Sequence, residues 1–395
     1  MEQIGTYIIY IMMFFVAIGA IAAVKDDSKG IGAEFINGIH LIGYLFIPIA
    51  GAMASLPYIT LFIESVFGPI FSALGASTSM AATSILSVDM GGYQLTKSLA
   101  DTNENWIMGT INGFLLGPHI VFTIPVALAI LAKKDHKYLA LGMISGFISI
   151  PVALIAVISF ISIMNPQIRS IIDTTSQPDI YLNFEAQQVA KNLVPLILLV
   201  ILFVSGLKFF PNFMIKVFMI FGKIIDSAMK IILAMSIIEY FTGFFSFLFG
   251  HWGFSPIIAD KEDQFRALEI CGYISFMLAG AFPLVYCIQK YLGKYLAKLA
   301  PKMGLTSEGI TGIIATTANP IILFRLVEKM PPKDKVLTIA FAICGSWWLG
   351  DTLAYIANFQ PTLIVPLIAG KLVGAIFAYL LAMKLTVPKL NNIGE

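Results

Sequence analysis

The chain has 395 residues, of which 58% are hydrophobic and 12% are charged. A soluble protein carries roughly 25% charged residues, so about half of the expected charge is missing. The net charge of +2 argues against a nucleic-acid partner, and the apolar runs leave no room for a soluble catalytic domain.

Apolar runs as long as a bilayer span recur from the N-terminus onward. A membrane helix needs about 20 mostly apolar residues. The first run is preceded by Glu2 and not by a basic residue, whereas a secretory signal starts with basic residues. We therefore interpret this run as a retained helix. The runs are Ile4–Val24, Ile42–Phe67, Val121–Ala132, Leu139–Met164, Leu193–Leu207 and Leu363–Met383. They predict an all-α polytopic membrane protein in a lipid bilayer, with about nine to eleven membrane segments.

Lysine clusters predict the orientation of these segments, because basic residues collect on the cytoplasmic side. Four clusters are expected inside: Lys133, Lys134 and Lys137; Lys208 and Lys216; Lys290, Lys294, Lys298 and Lys302; and Lys384 and Lys389. This assignment puts the N-terminus outside and the C-terminus in the cytoplasm, for a multi-pass membrane protein.

Two moderately apolar stretches begin and end on the same side in this orientation. The helix Ile39–Phe67 runs outward and Asn105–Ala132 runs inward, so residues 68–103 start and finish outside. Residues 303–332 start and finish inside, between lysine clusters. Each stretch is too short for two spans and predicts a re-entrant hairpin.

The two hairpins occupy corresponding places in an internal repeat. Ala50-Gly51-Ala52 matches Ala279-Gly280-Ala281 at an offset of 229 (279 − 50), and Gly75 falls on Gly304 at the same offset. The lysine pattern orients the two copies oppositely, which predicts an inverted repeat of the kind common in secondary transporters. The predicted units are an N-terminal helix (1–30), repeat one (31–164), linking segments (165–264), repeat two (265–385) and a tail (386–395).

Glycine and proline predict four helix interruptions, paired across the repeat. They lie at Asp89-Met90-Gly91-Gly92, Gly117-Pro118, Asn319-Pro320 and Gly350-Asp351. Interrupted helices are tolerated in a membrane only where they line a protein-enclosed cavity, and transporters commonly build a midplane site from them.

Polar and aromatic side chains near these interruptions form a candidate substrate site for a small organic cation. Acids would attract an ammonium, aromatic rings add cation–π attraction, and amide or hydroxyl groups would orient a second polar group. The candidates are Asp89, Asp351, Asn319, Asn358, Asn112, Thr317, Tyr355, Trp347 and His119.

Structural roles compete with four of these assignments. Asp351 suits the cap of a helix that starts after Gly350, and Asp89 suits a turn. His119 fits a hydrogen-bonded core histidine as well as a proton-coupling group. Trp347 fits an interfacial anchor as well as a cation cage.

The sequence contains no pattern that predicts catalysis. The three cysteines lie inside apolar segments, and no metal-ligand spacing, nucleophile elbow or phosphate loop is present. We therefore expect no enzyme activity and no cofactor.

Motifs along both halves resemble the ethanolamine permeases of bacterial ethanolamine-utilisation operons, the EutH family. The resemblance is carried by Asp89-Met90-Gly91-Gly92-Tyr93, residues 117–128 (GPHIVFTIPVAL), Lys137-Tyr138-Leu139-Ala140-Leu141-Gly142, Ala315-Thr316-Thr317-Ala318-Asn319, Leu349-Gly350-Asp351 and Gly370-Lys371-Leu372-Val373-Gly374. It extends over essentially the whole chain.

This resemblance implies uptake of ethanolamine, a small ammonium with a hydroxyl group. We expect Asp89 and Asp351 to face the ammonium, and Asn319, Asn358 or a hairpin hydroxyl to orient the substrate hydroxyl. An ion-coupled transporter of another small polar solute, or a membrane-embedded enzyme or assembly factor, stays open as an alternative, as does a homo-oligomer.

Overall fold

The fold is almost entirely helical in this computed structural model, which describes residues 2–85, 91–293, 295, 298 and 300–392. The first half contains α1 (Glu2–Lys25), α2 (Gly30–Ala54), α3 (Leu56–Phe62), α4 (Gly68–Ala73), α5 (Thr78–Ile85), α6 (Gly91–Leu99), α7 (Asn103–Pro118), α8 (Ile124–Ile130), α9 (His136–Met164), α10 (Ala186–Phe209), α11 (Pro211–Thr242) and α12 (Phe244–Phe249). The second half contains α13 (Ala267–Cys287), α14 (Ala300–Met303), α15 (Ser307–Ala318), α16 (Pro320–Val327), α17 (Pro332–Gly345), α18 (Asp351–Phe359) and α19 (Ile364–Leu385).

Short segments of other geometry join these helices. The loop after α9 carries the antiparallel strands β1 (Gln167–Ile168) and β2 (Ile180–Tyr181). The π-helical turns are Ile63–Phe67, His119–Thr123 and Ile288–Leu292, and the 3₁₀ turns are Lys133–Asp135, Pro361–Leu363 and Val387–Asn392.

Seven helices within the described residues are long and apolar enough to cross a membrane: Ile4–Lys25, Gly30–Ala54, Leu56–Ala73, Lys133–Met164, Ala186–Phe209, Ala267–Leu292 and Pro361–Leu385. The all-α polytopic fold class is therefore confirmed. The expected nine to eleven segments also include helices that are interrupted or charged, such as α7, α11 and α17. That larger number stays a prediction.

In each of the two short helix pairs at the predicted hairpins, a residue before the first helix contacts a residue beyond the second. α5 packs against α6, and the Ser77 hydroxyl donates to Asp101 Oδ1 at 3.4 Å across the open ends of the pair. α15 packs against α16, and the Thr306 hydroxyl donates to Asp334 Oδ2 at 2.6 Å beyond the end of α16. Whether these pairs enter a membrane from one side stays a prediction.

Helix starts follow the repeat offset that the sequence indicates. α5 and α15 begin at Thr78 and Ser307 (307 − 78 = 229), and α7 and α17 begin at Asn103 and Pro332 (332 − 103 = 229). Gly75 and Gly304, at the same offset, have φ angles of 70° and 71°. The left-handed conformation explains why glycine stands at both positions, since a Cβ is disfavoured there. The opposite orientation of the two copies stays a prediction.

Equivalent helices of the two halves make the most extensive contacts, α2 with α13 and α9 with α19. A Cβ on Gly38 would lie 2.5 Å from the Ala279 nitrogen, and one on Gly370 would lie 2.6 Å from the Val157 nitrogen. Glycine lets the helix backbones approach closely, as is common in membrane bundles. The two halves are thus packed together along the centre of the protein.

Candidate functional site

Two helix interruptions in the second half satisfy each other's backbone groups. α15 ends at Ala318, and Asn319, with an extended backbone (φ −153°, ψ 115°), separates it from the next helix, which starts at Pro320. The carbonyl oxygens of Thr316 and Thr317, left free by this end, accept hydrogen bonds from the N–H groups of Trp347 (3.3 Å) and Leu349 (2.9 Å). Because unpaired backbone groups are costly in an apolar interior, this mutual pairing makes both interruptions stable.

Residues 346–350, which lie between α17 and α18, run against the end of α15. A Cβ on Gly350 would collide with the carbonyl oxygen of Ala318, so this close approach requires glycine. Trp347 has a φ of 63°, which is unusual for a residue with a bulky side chain. The unusual backbone holds the buried Trp347 indole beside the interruption.

Asp351 is the first residue of α18 and is only 5% exposed. Its Oδ1 accepts a hydrogen bond from the Thr352 N–H at 2.7 Å. The positive end of the α18 dipole also favours a carboxylate at this position. Asp351 therefore makes the contact of a helix cap, and its carboxylate is also buried. The first feature is expected of a cap and the second of a substrate-binding acid.

Lys371, on α19, was not among the residues we singled out. It is 1% exposed, and its Nζ donates to the carbonyl oxygen of Phe114 at 3.2 Å. It lines a small cavity together with Trp348 and Thr352. A lone lysine between Pro361 and Lys384 is a visible signal, because a charge inside an apolar membrane run is functional by default.

Asn112 joins the first hairpin to α7. Its Nδ2 donates to the hydroxyls of Thr83 (3.1 Å) and Ser84 (3.0 Å) near the end of α5. Asn112 is fully buried, and its Oδ1 has no hydrogen-bond partner within the described parts of the chain. Asp89, the other predicted acid, lies outside the described residues.

His119 begins the π-helical turn that follows α7. The interruption predicted at Gly117-Pro118 is thus a wider helical turn and not a loop. His119 is 1% exposed, and its Nδ1 has no hydrogen-bond partner among the residues that the structure describes. Phe122 of the same turn lies 6.2 Å from Trp347 between ring centroids, so the turn faces the second-half interruption.

The remaining predicted residues differ in their distance from this centre. Tyr355, fully buried on α18, contacts Phe114 at 5.9 Å between ring centroids and stacks on Phe359 at 4.7 Å. Asn358 is seven residues beyond Asp351, or about 10 Å along the helix. Its Nδ2 donates to the carbonyl oxygens of Tyr273 (3.0 Å) and Ala354 (2.8 Å), which indicates a structural role.

Two predicted polar residues of the second hairpin bond mainly to their own helices. The Thr317 hydroxyl donates to the Ile314 carbonyl oxygen at 2.7 Å, and Asn319 Oδ1 accepts from the Ile321 N–H at 2.8 Å. They shape the interruption, whereas Thr316 beside them keeps a buried hydroxyl without a partner in the described structure.

Seven buried polar atoms on the helices and turns that carry the interruptions have no hydrogen-bond partner within the described residues. Such orphaned atoms are rare in native proteins and indicate an unseen water, ion or ligand. They are Thr316 Oγ1, Ser346 Oγ, Trp347 Nε1, Trp348 Nε1, His119 Nδ1, Thr123 Oγ1 and Asn112 Oδ1. The set contains donors, such as the indole N–H groups of Trp347 and Trp348, and acceptors, such as Asn112 Oδ1.

The loop after α9 covers the far end of α18. Arg169 donates to the carbonyl oxygens of Asn358 (2.6 Å) and Phe359 (3.3 Å), and its own N–H donates to Gln360 Oε1 at 2.9 Å. Gln360 Nε2 in turn donates to the Tyr93 hydroxyl at 2.9 Å. Burial lowers the pKa of Arg169 and the neighbouring Asp173 opposes this shift. Nothing in the sequence pattern indicated these contacts between the loop and the end of α18.

No metal site accompanies these features, since no three His, Cys, Asp or Glu side chains are grouped suitably in the described chain. Asp351 and Lys371 are the buried acid and lysine of the segments described above, and a substrate site among these segments stays a prediction.

Comparison with known proteins identifies the family. The family described as "Ethanolamine utilisation protein, EutH" matches residues 4–385. The chain is 36% identical to the probable ethanolamine permease EutH of Listeria monocytogenes, over 95% of this chain and 92% of the relative. It is 33% identical to the protein of the same name from Escherichia coli, over 98% and 96% of the two chains.

A further relative, the uncharacterized protein YxeR of Bacillus subtilis, is 28% identical over 94% of this chain and 92% of its own length. No solved structure matches the chain. The family match covers nearly all of the sequence, including both sets of interrupted helices. This chain is therefore a member of the EutH ethanolamine utilisation family.

Proposed function

We propose that this protein is an ethanolamine permease of the bacterial inner membrane, with its C-terminus in the cytoplasm. The names of the Listeria monocytogenes and Escherichia coli relatives support the substrate, and seven apolar helices support the membrane setting. The proposal further puts the substrate site near the midplane, between two inverted repeats.

The observation that carries the proposal is the group of orphaned buried polar atoms around the interruptions beside Asp351. Ethanolamine is an ammonium at neutral pH, as a lysine side chain is, and donates three hydrogen bonds. Asp351, Thr316 and Ser346 offer acceptors for these donors. The indole N–H groups of Trp347 and Trp348 offer donors to the substrate hydroxyl.

Charge balance assigns a role to Lys371 in this proposal. Two acids, Asp89 and Asp351, together with one buried lysine leave a formal charge of −1 in the empty site. A bound ammonium brings this total to zero, which limits the cost of holding charge in an apolar interior. A single acid facing Lys371 would leave no net attraction for a cation.

The experiment measures uptake of labelled ethanolamine by proteoliposomes that contain the wild type, Asp351→Asn or Glu262→Gln. Losing a charge-assisted hydrogen bond of about 2–3 kcal/mol predicts that Asp351→Asn lowers the substrate affinity about 30- to 150-fold. Glu262 is exposed in the 251–266 loop, so its variant should transport like the wild type.

Correct folding of each variant is checked by size-exclusion chromatography in detergent. Wild-type uptake by folded Asp351→Asn would reject the proposed site, and absence of uptake by the wild type would reject the function. Repeating the wild-type assay with an imposed pH or sodium gradient tests ion coupling directly.

A further inference from the structure

Helix α11 is longer than a membrane is thick. Its 32 residues, Pro211–Thr242, span about 48 Å at 1.5 Å per residue, whereas the hydrocarbon core is about 30 Å thick. A membrane-crossing α11 that is centred in the bilayer would have about ten residues on either side of its midpoint, which falls between Asp226 and Ser227, in the hydrocarbon. A shift of a few residues in either direction still leaves Asp226 within it.

One face of α11 packs against the rest of the protein. A Cβ on Gly51 of α2 would lie 2.6 Å from the Met229 Cα, so the two helices approach closely. The buried residues recur every three or four positions, as one helical face requires. They are Met214, Phe218, Gly222, Ile225, Met229, Leu233 and Ser236.

A flank of α11 beside the packed face carries a stripe of charged and small polar residues, which we call the polar stripe: Lys223, Asp226, Ser227 and Lys230. All four are exposed. Lys230 Nζ and Asp226 Oδ2 form an ion pair at 2.6 Å, with side chains 56% and 55% exposed. Exposed apolar residues such as Ile220, Ile224 and Ile231 surround the stripe.

Lipid cannot accommodate this stripe cheaply. Each charge at the bilayer centre costs about 3 kcal/mol or more, and the short Asp226 side chain cannot reach the headgroups. Polar residues in membrane helices therefore face protein or a water-filled cavity almost without exception. Because all four residues of the stripe are exposed in a single copy, a second protein surface is needed to cover it.

We propose that the polar stripe is the interface with a second copy of this chain. Two copies inserted in the same direction are related by a twofold axis along the membrane normal, which brings their α11 helices together in parallel. Asp226 has a lysine about one turn away on each side, at Lys223 and Lys230. The stripe is thus self-complementary, since each Asp226 meets a lysine of the partner subunit while the partner's acid meets a lysine here.

Ser227 lies in the middle of the stripe and lets the two helices approach closely, as small residues do in membrane interfaces. Under this twofold axis equal residues lie at the same depth, so Asp226 reaches Lys223 or Lys230 of the partner subunit diagonally, across about one helical turn. The interface is separate from the substrate cluster, so this inference stands whether or not the protein carries ethanolamine.

The first experiment is oxidative cross-linking in native membranes. Ser227→Cys and Leu202→Cys are compared in a background with Cys287→Ser, since Cys271 and Cys344 are buried. Leu202 is 61% exposed on α10 and serves as a control on another outer face. We expect a disulfide-linked species of twice the monomer mass for Ser227→Cys alone; equal cross-linking of both variants, or of neither, overturns the proposal.

The second experiment separates interface charge from folding. D226K makes every charge of the stripe positive, and K223D combined with K230D makes every charge negative; both break the ion pair within the chain. Each variant expressed alone should lose the dimer in nanodiscs. Co-expressed with different affinity tags, the two should co-purify as a mixed dimer, because only their stripes are complementary.

A dimer of either variant alone at wild-type yield overturns the proposal, as does a monomeric wild type in nanodiscs. Failure of the two variants to co-purify also overturns it when each is recovered as a folded monomer. Transport is not measured in either experiment, so the outcome does not depend on the proposed substrate.

Discussion

Trp347 combines a bulky side chain with a left-handed backbone beside the candidate site. Its φ of 63° costs about 1–2 kcal/mol relative to a relaxed residue. Strain of this kind persists where the surroundings enforce it and is concentrated at functional sites. Here the enforcing contacts are the hydrogen bond from the Trp347 N–H to Thr316 and the one from the Gly350 N–H to the Trp347 carbonyl oxygen.

The strain predicts an unusual order of stability at this position. The free energy of unfolding of Trp347→Gly should exceed that of Trp347→Ala by about 1 kcal/mol, because only glycine is relaxed at this φ. Trp347→Gly should therefore unfold at the higher temperature. Thermal unfolding in detergent checks the prediction. At Trp348, whose φ is not positive, the alanine variant should be the more stable; the same order at both positions would contradict the strain.

Asp351 and Lys371 differ in how far the sequence indicated their contacts. The helix start at Asp351 could be predicted, because this residue follows glycine inside an apolar segment, and α18 does begin there. Lys371 was missed because its partner carbonyl, on Phe114, lies 257 positions away in the chain. Sequence separation conceals such a contact, although the isolated charge itself was visible.

At the scale of elements, α9 is tied to the second half beyond both of its ends. Asp135 immediately precedes the helix, and its Oδ1 pairs with Lys335 Nζ on α17 at 2.6 Å. Arg169 follows the helix and holds the end of α18. The side chains of Asp135 and Lys335 are 2% and 7% exposed, so this ion pair is shielded from solvent.

Breaking the buried pair should be costly. Lys335→Met leaves the Asp135 carboxylate buried without its cation and should lower the free energy of unfolding by about 3–5 kcal/mol. Lys333→Met, two positions away on the same helix and with no ion pair described, should change it by about 0.5 kcal/mol or less. Thermal unfolding of both variants in detergent measures the difference.

The double variant Asp135→Leu with Lys335→Met completes this test. Because it removes both charges together, we expect it to recover most of the stability lost in Lys335→Met. A double variant no more stable than Lys335→Met would show that packing, and not charge, is responsible for the loss.

The interrupted helices are the elements that sequence predicted best. Asn319-Pro320 and Gly350-Asp351 both separate two helices, because proline lacks a backbone donor and glycine favours no helix. The sequence does not reveal that each interruption supplies hydrogen-bond partners for the other. That pairing requires α15 and residues 346–350 to meet, which depends on tertiary packing.

At the scale of the whole molecule, the predicted repeat concerns the order of helices in the two halves, and it stays a prediction. Equivalent helices pack in pairs at the centre, and helix starts recur at a constant offset. The direction of insertion is a separate property, which rests on the distribution of lysine.

Labelling with a membrane-impermeant thiol reagent tests this orientation. In a background with Cys287→Ser, Tyr181→Cys in the loop after α9 should react in intact cells, because that loop is predicted to be outside. Lys134→Cys, which is also exposed, should react only after the cells are permeabilised. The reverse pattern would show that the protein is inserted in the opposite direction.

Composition by itself determined that this is a helical membrane protein, since its apolar runs are too long and too free of charge for a soluble core. The order of motifs determined its family, and glycine and proline marked where helices are interrupted. Only the tertiary structure decided which polar groups meet: Lys371 with α7, Arg169 with α18, and residues 346–350 with α15. The physical reason is that helix formation depends on neighbours along the chain, whereas the enclosure of a polar site depends on contacts between distant segments.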